Sequence, residues 1–149
     1  MAKDRSRKKE RNRRENTREE RKVLAVRELV TFSFKDLDQT QPKANPQTIN
    51  LWGELGLLPT LFRRLTEISK LTRDEACKQQ QIKLYPGGFP EKDKTEFSVP
   101  SYVDENVAWG VIEGLGGKPR VAGYLSGNTF YIVFLDSEHK FWISKKSHT

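Results

Sequence analysis

The chain has a single cysteine and two histidines in 149 residues, and no apolar run in it approaches the ~20 residues that cross a bilayer. Cys77 on its own excludes an internal disulfide and a cysteine-built zinc cluster, which suits a reducing cytosol. No histidine lies near it in sequence to activate the thiol, so it reads as a small residue on a helix flank. The first residues are basic, but no apolar segment follows as a signal peptide requires, and acidic residues among them argue against a transit peptide. A soluble, cytoplasmic protein without a membrane partner is expected. His148 lies in a polar tail, and no HExxH or similar spacing supplies metal ligands. Gly114, Gly116 and Gly117 lack both the Lys-Ser/Thr of a P-loop and the strand–helix frame of a dinucleotide site. Neither a metal nor a cofactor is therefore expected.

What the sequence does contain is charge, unevenly placed. Formal net charge is +7. Residues 1–28 hold 12 Lys/Arg against 6 Asp/Glu, a net of +6, which leaves +1 for the other 121 residues. The chain thus divides into a basic arm, residues 1–28, and a nearly neutral globular part, residues 29–149. The arm, MAKDRSRKKERNRRENTREERK and onward, has no aromatic residue and too little apolar surface to bury a core. Its arginines are nonetheless ordered: Arg7, Arg11, Arg14, Arg18 and Arg21 recur at steps of 4, 3, 4 and 3, which stacks them along one stripe of an α-helix. Glu15, Glu19 and Glu20 fall off that stripe. Each guanidinium offers a planar fork of donors that matches a phosphate, so the pattern points to a nucleic-acid groove. The stretch resembles the arginine-rich RNA-binding peptides of phage antitermination proteins, which fold as helices in RNA.

The globular part reads as helices followed by strands, an α+β order with two short helices and a small antiparallel sheet. Phe32 and Phe34 alternate as a strand would, and DQTQPKANPQT is a loop. Leu58, Leu61, Phe62, Leu65 and Ile68 keep a 3–4 spacing that predicts a helix from about Ile49, with Pro59 in its first turn and Arg63 and Arg64 off its apolar face, available to nucleic acid. Thr72 and Glu75 form a capping box for a second helix through about Gln81. Phe97 and Val99 alternate again, and VAWGVIEGLGG is read as a strand. RVAGYL and TFYIVFL flank Ser126-Gly127-Asn128, a strong hairpin signal. A third strand, Phe141-Trp142-Ile143, is expected after the turn DSEH.

The closing stretch KPRVAGYLSGNTFYIVFLDSEHKFW resembles the terminal sheet of RelE/ParE-type toxins, in which an arginine opens a strand, a hairpin follows, and a histidine-plus-basic pair precedes a terminal aromatic. Those positions are Arg120, Gly127-Asn128, His139-Lys140 and Trp142. The resemblance implies a metal-independent endoribonuclease acting on messenger RNA and inhibited by an antitoxin, as in toxin–antitoxin pairs. In that chemistry His139 would serve as base or acid, and Arg120 and Lys140 would hold the phosphate, while Tyr131 or Trp142 could stack a base. Against it, Asp136 and Glu138 put negative charge beside a phosphate site, and a loop histidine is ordinarily a turn residue. Tyr124, Phe130, Tyr131, Phe134 and Trp142 fit a core and sheet face better than a base platform.

Three readings follow from the sequence. The first is a small RNA- or ribonucleoprotein-binding protein with an arginine-rich helical arm. The second is the RelE-like nuclease. The third is a phage or mobile-element regulator that acts by binding another protein.

Overall fold

The computed structural model describes residues 12–14, 16–18 and 28–143. Arg7, Arg11 and Arg21 of the arginine stripe lie outside these, as does the apolar segment Val23–Val26. Arg14 and Arg18 are on described helical residues and are exposed, and Thr17 donates a hydrogen bond to the Arg13 carbonyl (2.8 Å).

The chain enters the fold through β1 (Thr31–Ser33), then builds α1 (Ile49–Glu54), α2 (Leu57–Ile68), α3 (Arg73–Lys78) and the short strand β2 (Lys83–Leu84). A long loop carrying one 3₁₀ turn leads to β3 (Ala108–Ile112), β4 (Arg120–Ser126) and β5 (Thr129–Asp136). The five strands form one sheet in the order β1-β5-β4-β3-β2. Neighbours from β2 to β5 are antiparallel, whereas β1 runs parallel to β5 with Thr31 opposite Thr129. The fold is therefore α+β, with a mixed sheet in place of a purely antiparallel one.

Local chemistry explains the helices. Thr72 Oγ1 accepts from Glu75 N (3.2 Å) and Glu75 Oε1 accepts from Thr72 N (3.1 Å), which is the reciprocal capping box that opens α3. Gly56, at φ +71, breaks the chain between α1 and α2 in a conformation that disfavours a side chain. On α2, Leu61, Leu65 and Ile68 are buried as their spacing requires, but Phe62 stays 58% exposed at the margin of the stripe.

Both faces of the sheet are buried. The helices press Trp52, Leu61, Leu65 and Ile68 onto Ile112, Val121, Leu125, Phe130, Ile132 and Leu135. Among the described residues, no helix covers the opposite face. Loop residues Phe97 and Phe141, with the partly buried Tyr85, Phe89 and Trp142, close over Trp109, Val111, Ala122, Tyr124 and Phe134. A strand covered on both sides needs no polar alternation, which is why TFYIVFL is almost uninterrupted apolar sequence.

Two expected strands are absent. Phe97 and Val99 lie in irregular chain, and Phe141-Trp142-Ile143 adds no strand to the sheet. Phe141 turns inward and is fully buried, while the backbone around it is tied to the 3₁₀ segment by Ile143 N to Lys94 O (2.7 Å) and Glu96 N to Lys140 O (3.0 Å). Burial of an aromatic anchor here outweighs ladder pairing.

The β4–β5 ladder contains a bulge. Gly123 pairs with Ile132 and Ala122 with Phe134, so Val133 is the extra residue. Its carbonyl is turned out of the ladder and accepts from Asp38 N (2.8 Å). The crowding is severe, since a Cβ on Gly123 would sit 1.9 Å from the Tyr131 carbonyl oxygen.

Candidate functional site

Strand register assembles a polar corner at the end of the sheet where β3 leaves and β4 enters. Lys83 lies opposite Val111 and Arg120 opposite Asp136, and cross-strand partners share a face. Glu113, two residues after Val111, falls on that same face by alternation. Its Oε1 accepts from Arg120 Nη1 at 3.0 Å and its Oε2 lies 3.6 Å from Lys83 Nζ. Arg64 reaches over from α2, donating Nε to the Glu113 carbonyl (2.9 Å) and pairing with Glu67 (3.4 Å). Arg120 Nε also donates to the Lys118 carbonyl (3.2 Å). The Arg120 side chain is only 12% exposed, so its charge is held by Glu113.

The DSEH turn closes the corner. Asp136 is buried at 1% exposure, and its carboxylate accepts from Lys140 N (2.9 and 3.0 Å) and Phe141 N (2.9 Å). This negative charge is therefore engaged by backbone amides and does not stand free beside a phosphate site. Ser137 N donates to Gln47 Oε1 (2.9 Å), which ties the turn to the helical layer. His139 takes the left-handed conformation, φ +60, the position such a turn needs.

Titration follows burial and neighbours. Burial, with the positive Arg120 guanidinium adding to it, holds the His139 imidazole below its ordinary value, so it is neutral at pH 7. Asp136 is pushed up by burial, against the opposing pull of the Lys140 and Phe141 amides. Burial pushes the Tyr85 hydroxyl up to about 12, Arg120 opposing. Tyr85 stacks on Trp142 with ring centroids 4.5 Å apart, and it also lines a cavity of about 750 Å³ together with Phe89, Val99, Glu105 and Val107.

Of the residues singled out from sequence, Arg120 and Arg64 are brought together through Glu113, while His139 lies in the turn that follows Asp136, the cross-strand partner of Arg120. Lys140 does not join them, since its ammonium lies 3.6 Å from Glu96. Arg63 is exposed on α2. Tyr131 stacks on Tyr124 (4.6 Å) with Lys35 over its ring (5.3 Å). The sequence reading missed Glu113, Lys83 and Gln47. Glu113 and Arg120 bracket the glycine run of the β3–β4 connection, and reading that run as a turn would have made them neighbours.

The corner and the point where the chain enters the sheet lie at opposite ends of β4. The chain enters at Thr31, beside the β4–β5 hairpin, whereas Arg120 opens the seven-residue β4 at its other end. At about 3.3 Å per residue the separation is roughly 20 Å. Among the described residues no group of three His, Cys, Asp or Glu could hold a metal ion, and no helix is long and apolar enough to cross a membrane. Comparison with protein-family models, with curated proteins and with solved structures finds no match to this chain.

Proposed function

We infer that the protein binds nucleic acid, RNA or a ribonucleoprotein, through its N-terminal arm, with the α+β body as the platform from which the arm extends. The observation that carries this is the segregation of charge: +6 in residues 1–28 against +1 in the rest, with arginines at 7, 11, 14, 18 and 21. Arg14 and Arg18, four apart on exposed helical residues, fit that stripe. Neutralising phosphates releases counterions, so affinity should fall steeply with salt. Replacing the five arginines with glutamine should weaken RNA binding and flatten its salt dependence by up to about one counterion per lost phosphate contact. Five charge changes off the stripe should do less. Equal effects from both sets would show that the arm acts by charge alone, and no effect from either would remove the arm as the binding element.

A second reading, the RelE-like metal-independent endoribonuclease, is favoured by the β4–β5 register, which sets Arg120 opposite Asp136 at the start of the turn that carries His139. The ion pair to Glu113 and the diversion of Lys140 to Glu96 weigh against it. Cleavage of RNA by purified protein in EDTA, with and without ribosomes, decides it: His139→Gln should lower such cleavage roughly 10²–10⁴-fold if the imidazole is the acid or base.

A further inference from the structure

Glu113 occupies the place of an anion. Its two carboxylate oxygens are taken by different cations, Oε1 by Arg120 at 3.0 Å and Oε2 by Lys83 at 3.6 Å, while Arg64 holds its backbone carbonyl at 2.9 Å. These three cations come from β4, β2 and α2 and converge on one residue. Opposing them are Glu113 itself, Glu67 on Arg64, and Asp136, which is spent on backbone amides. A carboxylate brings one charge and two oxygens to this cradle. A phosphoryl group brings up to two charges and more acceptor oxygens, and matches separated cations better.

The chain between Glu113 and Arg120 is suited to a close approach. Gly114, Gly116 and Gly117 all have positive φ (+84, +90 and +100). The loop is pinned at Leu115, which is 2% exposed, and at Gly114, where a Cβ would lie 2.9 Å from Arg64 Nε. It is open at Gly116 and Gly117, where a Cβ would meet nothing within 4 Å. Among the described residues, neither of those two amides is paired with a protein acceptor. Successive glycine amides in left-handed backbone can turn toward an anion.

We propose that the Gly114–Lys118 loop and the Arg64, Lys83 and Arg120 cradle form a phosphoryl-binding site in which the Glu113 carboxylate is the resident competitor. Binding is an exchange without covalent change. Glu113, already 39% exposed, swings to solvent and phosphate oxygens take Arg120 and Lys83. This goes beyond the arm reading and stands separately from it, because it uses no residue of the arm.

The test follows amide and arginine side-chain NMR signals of the full chain during titration with inorganic phosphate, adenosine 5′-monophosphate and a short oligouridylate. The signals of Gly116, Gly117 and Arg120 Nε should move. Glu113→Gln, which removes one competing charge a few ångströms from the site, should tighten binding roughly 3- to 10-fold. Lys83→Gln should weaken it. Asp74→Asn makes the same charge change on α3, at the hairpin end, and should leave it unchanged. The proposal is overturned if Glu113→Gln binds no tighter, if Asp74→Asn tightens binding equally, or if the perturbed signals lie elsewhere. Response to all three probes identifies a free phosphoryl compound as a ligand, and response to the oligonucleotide alone identifies the backbone diester. If the five-arginine variant keeps oligonucleotide binding with Gly116 and Gly117 still moving, the arm reading fails and this one stands. If that variant loses oligonucleotide binding while no probe moves these signals in Glu113→Gln, the reverse holds.

Discussion

Replacing Gln47 with leucine tests how the turn that carries His139 is fastened. The Gln47 side chain is 2% exposed, and its single Oε1 accepts from both Trp52 Nε1 (3.0 Å) and Ser137 N (2.9 Å). Leucine fills nearly the same volume but offers no acceptor. Trp52 is fully buried and Ser137 is 7% exposed, so both donors lose their partner away from water. An unsatisfied buried donor costs about 1–3 kcal/mol, and the added apolar burial returns about 1 kcal/mol. The net destabilisation should be about 1–5 kcal/mol, centred near a fall in Tm of about 10 °C for a chain of this size. Urea denaturation followed by circular dichroism measures it, and pairing Gln47→Leu with Trp52→Phe in a double-mutant cycle isolates the tryptophan share, expected to be about 1 kcal/mol. A cost below about 0.5 kcal/mol would refute the claim that this oxygen satisfies two buried donors.

Four further outcomes are expected. Gly123→Ala should destabilise by more than about 3 kcal/mol or prevent folding, because the new methyl meets the Tyr131 carbonyl at the bulge; normal thermal stability would contradict the close approach. His139→Gly should be about 0.5–1 kcal/mol more stable than His139→Ala, since φ is +60 there, and equal unfolding midpoints would argue against that backbone. Asp136→Ala should cost about 2–5 kcal/mol by stranding the Lys140 and Phe141 amides, which chemical denaturation would register. The His139 imidazole is held low in the fold, so its contribution is present above the unfolded value of about 6.5 and is lost as pH falls below it. Subtracting the stability–pH curve of His139→Gln isolates this from Asp136, whose raised pKa runs the other way, with stability lost as pH rises above about 4.

Local signals were legible where the chemistry is local. The Thr72–Glu75 capping box is formed as its spacing predicts, and Gly127 sits at φ +60 in the hairpin that Ser126-Gly127-Asn128 announces. Leu61, Leu65 and Ile68 face the core, yet Phe62 does not, because a stripe wider than the contact area leaves its margin outside. That Arg120 stands at the same end of the sheet as the DSEH turn was legible, because β4 and β5 read as one antiparallel pair. The partners that define the corner were not: Lys83 reaches Glu113 only through the β2–β3 register, and Arg64 only through the packing of α2. Phe141-Trp142-Ile143 has strand composition, but composition does not say that Phe141 is needed as an anchor in the face that loop residues cover.

The loop-covered face has a consequence for how the chain folds. Its fastenings join residues remote in sequence: Tyr124 to the buried Asp36 across 88 positions, and Gln41 to Ser98 across 57. The helical layer, by contrast, can begin from the contacts of α1 with α2, which are neighbours along the chain. Closing long loops before any contact rewards them slows folding. The helices and the hairpin should therefore organise first, while the aromatic cover of Phe97, Phe141 and Trp142 settles last. Until it does, Trp109 and Phe134 are bare to solvent, and it is in that interval that the chain is most exposed to association with its own copies.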